Sequence, residues 1–192
     1  MKSSTYIEEQ MSQQVFEKEL LPHRDAIYTF ACRLTGGDKS GAGDLVQDTY
    51  EKAWRFIHRY VPQTNARAWL FRICHNSFIN ERRKSKYAVE KLDTDAVGRI
   101  QSDSEPNFAQ MSDVVMSAIN QLPKQQRVVL LLDLQGFSYE EMALVLNIRI
   151  GTVRSRLHRA RKALYELLRQ HAIGLGYQIA DNEVVTSTTC DQ

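Results

Sequence analysis

The chain has 192 residues, 43% of them hydrophobic and 25% charged, enough apolar material for a packed core and too much for wholesale disorder. Formal net charge is only +2, from 25 Lys+Arg against 23 Asp+Glu, so a nucleic-acid partner has to be read from where the charges sit and not from their sum. The length suits two small domains; no apolar run reaches the roughly 18 residues of a membrane span, and Glu8 and Glu9 make the first residues unlike a signal peptide.

Three widely spaced cysteines, Cys32, Cys74 and Cys190, fit neither a disulfide framework nor a zinc knuckle and point to a reducing cytoplasm. Glycine and proline are scarce, at 9 and 4, and apolar residues recur at three and four, which predicts an all-α chain. After an extension over 1–14, a helix is predicted from Val15 to Leu34, ending in the turn-rich stretch Gly36 to Gly41. A second, Asp44 to His58, carries Leu45, Val46, Tyr50, Ala53, Trp54 and Ile57 on one side; Gly41-Ala42-Gly43 delays its start. Pro62 stops the chain in a short loop, Tyr60 to Asn65. A third helix, Ala66 to Lys84, has Trp69, Leu70, Ile73, Cys74 and Ser77 along its apolar side.

From Tyr87 to Ser117 six acids stand against two bases, and the middle of the stretch loses its periodicity, so 88–110 reads as an acidic linker. Helical pattern returns near Met111 and runs to about Gly174, broken at Pro123, Gly136 and Asn147. The segment after Gln170 has no Lys or Arg and reads as a frayed tail. The expected organisation is 1–14 extension, 15–87 first domain, 88–110 linker, 111–172 second domain, 173–192 tail.

Ser138-Tyr139-Glu140-Glu141 has the spacing of a capping box. The short helix it starts stops at Asn147, and a new one opens at Gly151-Thr152 with Val153 and Leu157 facing inward. Two short helices, a tight turn and the small Ala143 at their approach predict a helix-turn-helix. Arg149 to Arg169 holds seven bases and one acid. Arg154, His158 and Arg161 recur at helical spacing, as do Ser155 and Arg159, giving a polar face whose N-terminal part suits a major groove. Arginine forks match guanine edges, and a serine reaches a base or a phosphate. A merely solvated basic helix would need i,i+4 acids, which are nearly absent.

The first half carries DLVQDTY from Asp44, RAWLFRI from Arg67, and an Asn-rich basic stretch, Asn76 to Lys84; the second carries SYEEMA and GTVRSRLHRARKAL. In that order these resemble the extracytoplasmic-function sigma factors, promoter-specificity subunits of bacterial RNA polymerase, over about Val15 to Gln170. The resemblance implies two helical domains of sigma-2 and sigma-4 type joined by a flexible acidic linker. Sigma-2 would bind and melt the −10 element; sigma-4 would bind the −35 element. It assigns Thr152, Arg154, Ser155, His158, Arg159 and Lys162 to the −35 contact. It assigns Asn65, Trp69, Arg72, Asn76 and Arg83 to −10 binding and melting, with the loop Tyr60 to Asn65 as a base pocket. Trp69 equally fits core packing, and Arg82-Arg83-Lys84 fits a solvated helix end as well as phosphate contact. Asp44, Gln47, Asp48 and Glu51 would dock on the β′ clamp helices of core RNA polymerase, and sigma-4 on its β flap.

An anti-sigma factor is the further partner implied, covering the Asp44–Trp54 face and the surface around Val128 to Leu134. Direct membrane insertion is not expected, nor a cofactor, a metal site or an enzymatic activity. Gly37-Asp38-Lys39-Ser40 lacks the glycine before lysine that a phosphate loop requires, and adjacent Cys74-His75 cannot share one metal. Arg149-Ile150 departs from the family's usual small or proline-containing turn and adds a charge at the groove entrance. The alternatives are an independent helix-turn-helix regulator and a helical adaptor with an acidic partner.

Overall fold

The computed structural model describes residues 10–89 and 109–174, and among them every regular element is helical. After an α-helical stretch over 10–15, seven further α-helices follow in order: α1 Arg24–Leu34, α2 Lys39–Arg55, α3 Ala66–Val89, α4 Ala109–Gln121, α5 Lys124–Leu134, α6 Tyr139–Leu146 and α7 Ile150–Gly174. The expected acidic linker lies, over 90–108, outside the described residues, as does the expected tail after Gly174.

The single helix expected from Val15 to Leu34 is broken. Phe16–Leu20 is a π-helical turn and Leu21–His23 a 3-10 turn, and only then does α1 begin. The cause is Pro22, which has no N–H to give and whose ring collides with the carbonyl four residues back. The second helix begins five residues earlier than its glycines suggested. Asp38 caps it, accepting from the backbone N–H of Ser40 at 3.0 Å and of Gly41 at 3.1 Å, which offsets the helix-weakening glycines. A Cβ at Gly41 would stand 2.7 Å from the Asp38 carboxylate, so the cap needs glycine there.

In the first half α2 and α3 pack against each other and on α1, burying Ile27, Phe30, Leu45, Ala53, Leu70 and Phe71. Trp54, placed on the apolar side by periodicity, is 48% exposed and lays its ring edge-on against Phe16, centroids 5.2 Å apart. Thr49 is buried instead, its hydroxyl donating to the Leu45 carbonyl at 2.7 Å. In the second half α7 packs on α4, α5 and α6 through Val153, Leu157 and Ala160.

The two halves are in contact, contrary to the expectation that a polar linker leaves them apart. The core is one continuous cluster running from Leu20 to Ala160. Val128 to Leu132 is buried throughout, so the breadth of that apolar run leaves no free face for a partner. One side is taken by α7 and α6; on the other, Val128 shares an apolar cavity of about 230 Å³ with Leu34, Phe78 and Ile79 of the first half.

Candidate nucleic-acid interface

The helix-turn-helix forms as its local chemistry dictates. Ser138 Oγ accepts from the Glu141 N–H at 3.2 Å, and the Glu141 carboxylate accepts from the Ser138 N–H at 2.8 Å. These bonds hold the Glu141 carboxyl below its usual range, the Ser138 backbone contributing most. Asn147 ends α6 in the left-handed conformation, φ 53°, a geometry asparagine tolerates. The turn closes through the Ile148 N–H on the Ala143 carbonyl, 3.1 Å, and α7 starts at Ile150.

Inward stripe and outward face then separate on α7. Arg154, Ser155, His158, Arg159 and Lys162 are exposed and Thr152 is half-buried. The face is partly preorganised: Arg159 donates to the Ser155 carbonyl at 3.1 Å, and the Ser155 hydroxyl donates to Thr152 O at 3.1 Å. Arg154 leans over the Tyr139 ring, 5.9 Å to its centroid. Arg161 does not belong to this face. It is held by Asp133 of α5 in a two-pronged ion pair, 3.0 and 2.8 Å, and that carboxylate raises the guanidinium's pKa. Arg149 is exposed at the helix entrance.

In the first half the loop Tyr60 to Asn65 is built by a residue that sequence reasoning missed. Glu19 accepts from the Tyr60 hydroxyl at 2.6 Å and from the Gln63 N–H at 2.9 Å, which holds its carboxyl below the usual range. Burial, then the Glu19 contact, pushes the Tyr60 phenol up to about 12. Gln63 sits at φ 63°, a strained backbone these bonds stabilise. No local signal marks Glu19, more than 40 residues upstream.

Asn65 caps α3, its Oδ1 accepting from Ala68 N–H at 2.8 Å. Trp69 is half-buried with its ring 5.1 Å from that of Tyr60, so core packing and an edge on the loop coexist in one side chain. Arg72, Asn76 and Arg83 are exposed; Trp69, Arg72 and Asn76 step along one side of α3, three and four residues apart. Asn65 and Arg72 also meet the second half: the Asn65 amide donates to Glu141, and Arg72 lines a groove with Leu144, Asn147 and Arg149.

The acidic face of α2 is separate from both. Asp44, Gln47 and Glu51 are exposed, and Gln47 donates to Glu51 at 3.0 Å. Asp48 is half-buried, and burial raises its carboxyl. The Lys52 ammonium at 2.6 Å and the Ser77 hydroxyl outweigh that and hold it below the usual range. Lys52 in turn donates to Ser77 at 2.9 Å, fastening α2 to α3. Among the described residues no cluster of His, Cys, Asp or Glu could hold a metal, and no helix is long and apolar enough to cross a membrane.

A capped helix-turn-helix with an exposed basic helix, beside an all-helical module presenting an organised loop, defines a DNA-binding protein of bipartite design. Two family models divide the chain in the same way: Sigma-70 region 2 over residues 21–87 and Sigma-70, region 4 over residues 112–164. ECF RNA polymerase sigma factor SigE of Mycolicibacterium smegmatis is 35% identical over 156 residues, covering 78% of this chain and 60% of that protein. EcfG of Rhodopseudomonas palustris is 34% identical, covering 78% and 83%. The sigma factor RpoE of Bartonella quintana, solved with the anti-sigma factor NepR, superposes with a TM-score of 0.66 at 35% identity, covering 80% of this chain and 96% of that one. The chain belongs to the extracytoplasmic-function sigma factors of RNA polymerase.

Proposed function

We propose that the chain is a promoter-specificity subunit that binds core RNA polymerase in the cytoplasm, recognises −35 and −10 elements and helps open the DNA, with no catalytic activity of its own. The observation that carries this reading is the exposed basic face of α7 in the same chain as the Glu19-tied loop at the start of α3. One suits duplex read in a major groove; the other suits an unstacked base. Thr152, Arg154, Ser155, His158, Arg159 and Lys162 make the −35 contact. Asn65, Trp69, Arg72, Asn76 and Arg83 act on the −10 element, and Asp44, Gln47, Asp48 and Glu51 meet the β′ clamp helices. The B. quintana relative is held by an anti-sigma factor, and a partner of that kind is proposed here too. With Val128 to Leu132 buried, such a partner is left the α2 face and residues such as Leu134, 53% exposed.

Run-off transcription with core polymerase, with and without the chain, on a library of promoters tests the reading. Start sites that appear only with the chain, and vanish when the −35 element is scrambled, are expected. Tight binding to a palindrome without polymerase, and no chain-dependent start sites, would replace it with an independent regulator. Asn76→Ala is expected to leave polymerase binding intact and slow promoter opening, read as lost permanganate reactivity of unpaired thymines. The defect should shrink on a pre-melted template.

A further inference from the structure

The cavity of about 230 Å³ between α1, α3 and α5 has an apolar floor and a cationic rim. Leu34, Phe78 and Val128, all buried, form the floor with half-buried Ile79 beside them. Four cations line the same space: Arg82 and Arg83 from α3, Lys124 and Arg127 from the start of α5. Arg82, Arg83 and Lys124 are exposed, which places them at the rim. No acid lines the cavity, and none of the four cations has an ion-pair partner among the described residues.

Two of the cations are held in position. Arg82 lies over the Phe78 ring, 4.9 Å to its centroid. Arg127 is half-buried, and its Nη1 donates to the Asn120 carbonyl and side-chain oxygen, both at 3.3 Å, which leaves the rest of the fork to act elsewhere. Burial, then the charge of Arg82, lowers the Arg127 pKa; a half-buried cation with a like charge for a neighbour is the arrangement an anion relieves. His75 lines the cavity too and has a buried Nδ1 with no protein partner. A buried polar atom of that kind is uncommon and favours a ligand that can hydrogen-bond to it.

A nucleic-acid backbone would satisfy the rim and not the floor, because its phosphates carry nothing apolar to place between Leu34 and Val128. The pairing asks for an anionic head and an apolar body in one molecule. An apolar cavity of about 150 Å³ accepts a benzene ring, so this one takes a single ring or a chain of about eight carbons with its head at the rim.

We propose that this cavity binds a small amphipathic carboxylate, its apolar body against Leu34, Phe78, Ile79 and Val128 and its head held by Arg127 and Lys124. Two carboxylate oxygens match the planar fork of an arginine. The site goes beyond promoter recognition and stands or falls without it. A ligand there touches α1, α3 and α5 at once, so it stabilises the folded chain by mass action.

The test titrates the full chain with octanoate by calorimetry, at constant ionic strength in a buffer free of phosphate and carboxylate. One octanoate should bind per chain with Kd about 1 mM or tighter, and Tm should rise with its concentration. Octanol and octylammonium, which share the tail and lack the anion, should bind at least tenfold more weakly. In methyl NMR spectra Leu34, Ile79 and Val128 should shift, while Val153 and Leu157 in the core beneath α7 should not. Lys124→Gln and Arg127→Gln should each weaken octanoate about tenfold, the loss of one charge-assisted hydrogen bond, and leave octanol unchanged. Ile79→Trp, which puts an indole at the cavity wall, should abolish octanoate binding. Circular dichroism checks that each variant folds; Lys124 is exposed, so its variant and the methyl shifts decide the matter even if Arg127→Gln does not fold. No saturable binding, octanol or octylammonium binding as tightly as octanoate, methyl shifts away from the cavity, or full affinity in Lys124→Gln would each overturn the proposal. None of these readouts involves transcription, so failure here leaves the sigma-factor reading standing, and failure in run-off leaves this site standing.

Discussion

On the recognition helix, reach and rigidity separate side chains that share a charge. Arg159 is braced by Ser155 and Arg154 rests on Tyr139, so each presents a planar fork in a held direction, as bidentate contact with guanine requires. Lys162, further along α7, offers a point charge. Arg154→Ala and Arg159→Ala should each weaken −35 binding by ~1–3 kcal/mol if a guanine contact is lost, and only on promoters carrying the matching base. Lys162→Ala should weaken matched and scrambled elements alike, which anisotropy on both duplexes distinguishes. His75 illustrates what residue types do not disclose. Burial pushes its imidazole down to about 4, and Nδ1 has no protein partner. Because the folded pKa lies below the ordinary 6.5, the stability tied to the neutral ring is full above that value. It is lost as pH falls toward 4, at most about 3 kcal/mol. His75→Phe, beside the 230 Å³ cavity, should flatten the fall in urea midpoint between pH 7 and 5; an unchanged slope would place acid sensitivity elsewhere. The exposed basic face could be read from sequence because it depends on helical period alone. Arg161 could not, because its Asp133 partner lies 28 residues away.

At the scale of elements, local signals decided boundaries wherever the deciding atoms were local. The Ser138–Glu141 box and the left-handed Asn147 sit within a few residues of what they cap, and α6 falls where its sequence places it. The start of α2 departs from what its glycines imply because the Asp38 cap on Ser40 and Gly41 offsets their weak helix propensity. That balance can be measured. Gly43 is open on every side, whereas a Cβ at Gly41 would strike the Asp38 carboxylate. Gly43→Ala should raise stability by up to about 1 kcal/mol through helix propensity. Gly41→Ala should gain little or nothing, because displacing the cap costs about the same amount. Thermal melts of the two variants side by side check this, and equal gains would show that the cap carries no weight. The π-helical and 3-10 turns before α1 follow the same logic. Pro22 is visible in the sequence, and its effect on the ladder outweighs the apolar periodicity that suggested one unbroken helix.

For the whole molecule, periodicity showed that Val128 to Leu132 is apolar all round but not what covers it, since coverage depends on residues from the other half: Leu34, Phe78 and Ile79. An acidic linker composition suggests independent halves, yet Phe137 at the α5–α6 corner buries its ring against Phe71 and Val128 faces Leu34, Phe78 and Ile79, and burial of that apolar surface brings the halves together. The consequence concerns cooperativity. Both tryptophans, Trp54 and Trp69, lie in the first half, so tryptophan fluorescence reports that half alone, whereas far-ultraviolet circular dichroism reports helices from both. If the core is a single cluster from Leu20 to Ala160, the two probes should give one midpoint in urea, as coincident transitions require of a two-state unit. Arg67→Ala should split them, because the guanidinium joins α3 to the Phe137 turn and its loss removes coupling without emptying either half's own core. A fluorescence transition that keeps its midpoint while the circular dichroism curve becomes biphasic would mark the second half as the less stable unit. Separate midpoints already present in the unmodified chain would mean that the contact between halves contributes little to stability, and that each half folds on its own core.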